Sequence, residues 1–201
     1  MARRKDHAPE ELKALIHQAA KKIIYTKGLQ YLTARHLAKA IGYTPGTIYN
    51  FYRAMDALVA EVNYDTLGRL EQACRAAMEN RPQHGLARVK ALAYAYVDFS
   101  RENIHAWETL FSGARMDTKS NRMPKPYQQK VSALFRLIED TLCDCLRLPQ
   151  TEAQRDARLL WASLHGITVL TLDGRLKWAG VDKSHPIIDR LLEKYFASCA
   201  N

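Results

Sequence analysis

The stretch from Thr33 to Tyr52, TARHLAKAIGYTPGTIYNFY, leaves the chain little choice of local structure. Thr33 is a good helix start. Leu37, Ala38 and Ile41 follow at helical spacing on one face, and Gly42 comes directly after them, where a left-handed backbone is easily adopted. Thr44 and Pro45 then signal a second start, because a threonine hydroxyl accepts from free amides and proline suits the first helical position, which needs no N–H partner. The spacing predicts two short helices around a tight turn, the first ending at Ile41 and the second running to about Tyr52. Ile48 can point inward from the second, while Thr47, Tyr49 and Asn50 project elsewhere as hydrogen-bonding groups on a helix short enough to enter a DNA major groove. Taken alone, the same residues also describe an ordinary helix pair with a glycine turn.

The surroundings favour the first reading. From Pro9, the residues Leu12, Leu15, Ile16, Ala19, Ala20, Ile23 and Ile24 recur at three and four positions, the core stripe of an amphipathic helix that ends near Gly28. Lys21, Lys22 and Lys27 lie off that stripe and are candidates for phosphate contact. Ahead of it, Ala2-Arg3-Arg4-Lys5 is either a basic arm that reaches DNA or a solubilising tail. Residues 1–53 hold ten Lys or Arg against three Asp or Glu, a charge of +7, whereas residues 54–201 hold twenty against eighteen, a charge of +2. A charge excess confined to the segment that carries the two-helix pattern is what a polyanion-binding module requires.

These residues resemble a known family. Leu37-Ala38, Gly42, Pro45-Gly46-Thr47, Ile48-Tyr49, Tyr52 and Leu58 are similar to the DNA-binding domain of TetR-type transcriptional regulators, over about residues 9 to 60. The resemblance implies an all-α fold of about nine helices: a three-helix helix-turn-helix domain over residues 1–54 and an effector-binding and dimerisation bundle over residues 55–201. It also implies that Thr33, Arg35, Thr44, Pro45, Gly46, Thr47, Tyr49 and Asn50 meet double-stranded operator DNA. One departure stands out. Where the family usually has a Ser-Lys pair leading into the fourth helix, this chain has Ala54 and Met55. Alanine cannot accept the amide hydrogen bond that serine would, at a cost of about 1 kcal/mol, and methionine makes no ion pair with phosphate. Asp56 partly replaces the cap, and the DNA-contacting role is not extended to Met55.

Beyond the head, Leu58, Val62, Leu67, Leu70, Cys74 and Ala77 carry a connector helix from about Met55 to Asn80, broken by Arg81-Pro82-Gln83-His84-Gly85. Two helices over 86–103 and 104–113 follow, then a polar loop from Ser112 to Pro126 and a helix from Tyr127 to Leu146 that Pro149 stops. Thr151-Glu152-Ala153-Gln154 reads as a capping box opening a long helix, and a last helix follows Pro186. The long helix contains LLWASLHGITVL, whose Trp161 and His165-Gly166 are similar to a motif of one C-terminal domain type found on TetR-like regulators. Trp161 and His165 share a helix face, either as a core pair or as ligand contacts, and Gly166 permits close approach of another helix. Tyr64, Tyr96, Phe99, Trp107, Phe111, Phe135, Trp161 and His165 are read as lining one cavity for a small, mostly apolar effector; the alternative is that they are core aromatics.

Composition narrows the remaining classes. With 201 residues and 47% hydrophobic content the chain can bury a sizeable core. No apolar run approaches the roughly 18 residues that cross a bilayer, and MARRKDHAPEEL lacks the apolar core of a signal peptide, so the expectation is a cytoplasmic protein with no membrane partner. Cys74, Cys143, Cys145 and Cys199 lack metal-ligand spacing and are read as reduced packing residues; no metal or cofactor is expected. The resemblance implies a ligand-responsive repressor, a homodimer released from DNA by its effector, and the helices at about 152–178 and 186–199, whose apolar faces exceed what one core of this size needs, are the expected dimer interface. A helical enzyme using His165 with Asp98 or Asp173 as acid and base is the competing reading, but helical spacing puts neither carboxylate beside His165, and no catalytic residue is assigned. A nonspecific basic binder of nucleic acid or membrane surface leaves the capped turn unexplained.

Because a +7 head must neutralise phosphates, the logarithm of affinity for duplex DNA is expected to fall by about 0.9 per phosphate contact against the logarithm of salt concentration. Fluorescence anisotropy across a salt series checks this, and a flat response would sink it.

Overall fold

The computed structural model describes residues 7–79, 85–112 and 125–199. Among these residues it is built from nine α-helices and two short 3-10 turns, with no strand. In chain order they are α1 (Pro9–Lys27), α2 (Ala34–Ile41), α3 (Pro45–Phe51), α4 (Met55–Glu79), α5 (Leu86–Glu102), α6 (Ile104–Phe111), α7 (Lys125–Leu146), α8 (Gln150–Leu172) and α9 (Ser184–Cys199), the turns being Leu29–Tyr31 and Arg175–Ala179. The basic arm at 2–5, the break at 81–84 and most of the polar loop before α7 lie outside the described residues. The all-α expectation is met.

The helices fall into two compact units. Among the described residues, the first comprises those up to Thr66 and those from Asn103 to Tyr127, and the second those from Leu67 to Glu102 and from Gln128 onward. α4 runs from one into the other without a break. The first unit is therefore larger than the segment 1–54, since it takes in the start of α4 and the whole of α6. Its core is Ile16 and Ile24 from α1, Leu37 from α2, Ile48 from α3 and Leu58 and Val62 from α4, all at 0% exposure, joined by Ala106 of α6. Asn63 Nδ2 donates to the Thr109 carbonyl at 3.3 Å and the Tyr25 and Thr66 hydroxyls lie 2.9 Å apart, which holds α6 and α1 against α4 with paired polar groups. Met55 packs against this core, so the residue that stands in place of a family lysine has an internal use.

In the second unit Val97, Leu142, Ala153, Ala157 and Ile188 form the fully buried centre. Charged side chains stitch its helices together. Glu139 on α7 is buried and accepts from Arg158 and, at 3.1 Å, from Gln150, both on α8; the Arg158 guanidinium also covers the Phe135 ring at 4.8 Å. A buried carboxylate demands such partners, because leaving it unpaired costs about 3–5 kcal/mol. Lys130 reaches Glu71 at 3.2 Å between α7 and α4, and the Tyr195 hydroxyl donates to Asp156 at 2.6 Å between α9 and α8.

Two expected helix starts are corrected. α8 begins at Gln150 with Pro149 as its N-cap and no side-chain cap, so the Thr151 capping box does not form. With the helix opening at Gln150, Thr151 stands at the second helical position, past the N-cap place from which its hydroxyl could serve the free amides. α9 likewise begins at Ser184, with Pro186 inside its first turn, where a missing N–H costs nothing.

Gly42 closes α2 at φ 77° and ψ 28°, a left-handed conformation that aligns α3. A methyl group there would meet nothing within 4 Å, so the penalty of Gly42→Ala is conformational alone. Its expected size is about 1 kcal/mol, with Gly42→Asn costing less; urea midpoints of the two variants check the order.

Candidate functional site

The exposed face of the first unit is arranged by helix caps. Thr33 accepts from the His36 amide at 3.1 Å, and Thr44 accepts from the Thr47 amide at 3.3 Å, so each threonine serves the start of one short helix. The two threonine hydroxyls of α3's first turn also meet, Thr44 Oγ1 lying 3.0 Å from Thr47 Oγ1. With Ile48 fully buried, α3 shows Pro45, Gly46, Tyr49 and Asn50 to solvent, Tyr49 at 52% exposure, while Thr47 is half-buried. Thr33, Arg35 and Thr44 are exposed as well. The candidate DNA-facing residues thus gather on α3 and the start of α2, with their hydrogen-bonding groups turned out from the apolar core that holds the helices.

Two contacts that spacing alone did not reveal fix this face. His7 Nδ1 lies 2.7 Å from the Tyr43 hydroxyl and so ties the residue before α1 to the turn between α2 and α3. At the other end of α3, the buried Tyr52 donates its hydroxyl to Glu61 Oε2 at 2.7 Å, and Lys13 approaches the other oxygen of Glu61 at 3.5 Å and the Tyr52 ring at 5.8 Å. Burial, reinforced by the hydrogen bond to Glu61, raises the Tyr52 phenol above its ordinary value and keeps it protonated as a donor. Tyr52 appeared in the sequence only as a family aromatic, and nothing in the spacing of residues 13, 52 and 61 marks the trio. Lys21, a candidate for phosphate contact, instead bonds Asp65 at 2.9 Å.

The eight candidate effector residues fall in both units. Tyr64, Trp107 and Phe111 belong to the first: Trp107 is buried and its ring lies 4.9 Å from that of Phe111, while Tyr64 and Phe111 are 39% and 44% exposed. Tyr96, Phe99, Phe135, Trp161 and His165 belong to the second. Four of these form a chain of contacts. The Tyr96 hydroxyl lies 2.9 Å from His165 Nδ1, the His165 ring stacks on Trp161 at 5.3 Å, and Trp161 meets Phe135 edge to face at 5.6 Å. The Phe99 ring lies beneath Arg69 at 5.9 Å. Asp98, considered as a partner for His165, stands against His185 at 3.6 Å, and Asp173 stands near Arg175 at 3.7 Å. The cysteines are free thiols, and among the described residues no three His, Cys, Asp or Glu could hold a metal ion. No helix of the described residues is long and apolar enough to cross a membrane.

Burial lowers the His165 pKa from the ordinary 6.5. A lowered native pKa means that the unfolded chain binds the proton first, so the contribution of His165 to stability is present above about pH 6.5 and is lost as pH falls toward the lowered value. The difference in urea midpoint between the parent and His165→Gln is therefore expected to shrink on going from pH 7.5 to pH 5; a constant difference would contradict it.

Comparison with known proteins places this geometry. Residues 16–62 match the family described as bacterial regulatory proteins, tetR family, and residues 89–195 match the tetracyclin repressor-like C-terminal domain. No curated protein matches the chain. Among solved structures, a protein of unknown function from Rhodococcus sp. RHA1 superposes with a TM-score of 0.75 at 19% identity, covering 98% of each chain. A tetR-family transcriptional regulator from Streptomyces coelicolor gives 0.67 at 16% identity, over 96% of this chain and 82% of its own. A protein from Saccharomonospora viridis in complex with choline gives 0.61 at 14% identity, over 94% and 96%. At these identities the likeness is one of fold.

Proposed function

Because this chain belongs to the TetR family of DNA-binding transcriptional regulators, we propose that it is a repressor that reads an operator through α3 and leaves it when a small effector occupies the second unit. Members of the family are generally not enzymes. The observation that carries the reading is the solvent-facing set Arg35, Pro45, Gly46, Tyr49 and Asn50, presented on helices capped by Thr33 and Thr44 in the segment that holds the +7 charge. Asn50 reads a base edge, for which a carboxamide offers a donor and an acceptor together, and Tyr49 and Arg35 meet backbone or base. A homodimer places two such heads on half-sites. Its interface is on α8 and α9, an assignment supported by Leu159 at 59% and Leu170 at 41% exposure on α8 and by Trp178 at 83% in the turn that follows.

The effector is small and mostly apolar, and it is held beside Tyr96, Phe135, Trp161 and His165. These four offer three aromatic rings and one imidazole kept neutral by burial, a lining that orients a ligand without attracting a strong anion. The choline complex of the Saccharomonospora viridis protein supports small-molecule binding by this fold. Release from DNA requires the effector to favour the DNA-incompetent arrangement by several kcal/mol.

A duplex selected in vitro from random sequence tests both halves. Asn50→Ala is expected to lower discrimination between that duplex and a mismatched one by roughly 1–3 kcal/mol, and an equal loss on both would make Asn50 a backbone contact. Apolar and aromatic compounds that raise the melting temperature are expected to dissociate the duplex from the parent and to act weakly on a folded Trp161→Ala variant. A compound acting alike on both would move the effector site elsewhere.

A further inference from the structure

A groove of about 440 Å³ opens on the second unit between α4, α5 and α9, lined by Ala76, Ala77, Ala91, Tyr94, Ala95, Asp98 and His185. It shares no residue with the Tyr96, Phe135, Trp161 and His165 group. Ala91, Ala95 and Asp98 follow one another at four and three residues, and Tyr94 and Asp98 at four, so one face of α5 supplies the floor and the carboxylate together. The alanines of α4 make the facing wall.

The electrostatics of the groove are lopsided. On its rim Asp189 is satisfied twice, by the Tyr94 hydroxyl and by Lys90 at 3.0 Å, and those contacts hold its carboxyl below the ordinary range. Lys90 is in turn shared with Glu193 at 3.0 Å. Among the described residues no lysine or arginine pairs with Asp98 in this way. Among the described residues its partner at ion-pair distance is the His185 imidazole, at 3.6 Å, which is beyond a hydrogen bond. The His185 ring stands edge-on to the Tyr94 ring at 4.4 Å, and its Nε2 is buried and makes no hydrogen bond. The half-exposed Asp98 carboxylate is left at a groove whose walls are alanines of α4 and α5 and whose polar groups are its own, Tyr94 and His185.

We propose that this groove binds a small organic ammonium ion, its N–H groups donating to Asp98 and its alkyl portion lying along Ala77, Ala91 and Ala95. An anion would be repelled by Asp98, and a neutral apolar molecule would bury the carboxylate at a cost that no partner offsets. A charged N–H···O bond together with the apolar wall discriminates in favour of the ammonium.

Butylammonium, butanoate and butanol, matched in length and different in charge, test the assignment. The full-length protein is titrated at low salt and followed by NMR at the His185 ring, assigned with His185→Gln. Saturable shifts are expected with butylammonium and not with butanoate or butanol. Asp98→Asn is expected to weaken butylammonium about tenfold, as loss of a charge-assisted hydrogen bond would, and Ala95→Leu, which fills the floor, to abolish the shifts; circular dichroism melts establish that each variant folds, and Ala95→Leu decides the matter if Asp98→Asn does not. Trp161→Ala is expected to bind butylammonium as the parent does. Equal shifts with butylammonium and butanoate, or unchanged affinity in a folded Asp98→Asn or Ala95→Leu variant, would overturn the proposal.

Discussion

Burial of Ile48 is the contact on which the exposed face of α3 depends. α3 is Pro45–Phe51, too short to persist as an isolated helix, because a single nucleated turn or two gains little against the entropy of fixing it. It exists because Ile48, at 0% exposure, seats it in the apolar core of the first unit, and because Thr44 and Pro45 supply the first turn with a side-chain acceptor and a residue that needs no N–H partner. The same burial orients the helix. With Ile48 inward, Tyr49 and Asn50 are turned out, so one apolar residue both stabilises the helix and decides which of its side chains reach a partner.

The second unit solves a different problem. Its helices are long and its centre is apolar, but Glu139, Glu71, Asp156 and Asp189 are each tied to a residue on another helix. These pairs add little net stability, since desolvation offsets much of their attraction. Their effect is on register: a helix slid by one turn would strand Glu139 without Arg158. Around this framework the aromatic residues are free to differ in use. Phe99 fills core, whereas Tyr96, Trp161 and His165 form a polar-edged stack.

Local chemistry was legible in the sequence wherever a residue acts on its own few neighbours. Thr33, Gly42, Thr44 and Pro45 do what their side chains and backbones prefer, and the helix bounds around them follow. The capping box at Thr151 failed for a reason as local, since α8 opens at Gln150 with Pro149 in the N-cap place. What spacing could not show is which distant residues meet. Tyr52 and Glu61 belong to different helices, as do Tyr96 and His165, and helical periodicity fixes a face without naming what that face touches. The eight aromatic and histidine candidates, spread over several helices, read as the lining of one cavity, and packing divides them, since α6 carries Trp107 and Phe111 into the first unit. Met55 shows the converse: its lack of charge was plain, but its use as packing became visible only with the core around it.

The hydrogen bond from Tyr52 to Glu61 has a mechanical side. Glu61 is six residues from the start of α4 at Met55 and eighteen from its end at Glu79, or about 9 Å and 27 Å along a helix that rises 1.5 Å per residue. α3 is thus clamped to α4 near one end of a rod, and the free arm is about three times the clamped one. A rotation of this helix about the clamp carries Glu79 about three times as far as Met55, so the clamp divides α4 into a short arm beside α3 and a long one beyond it.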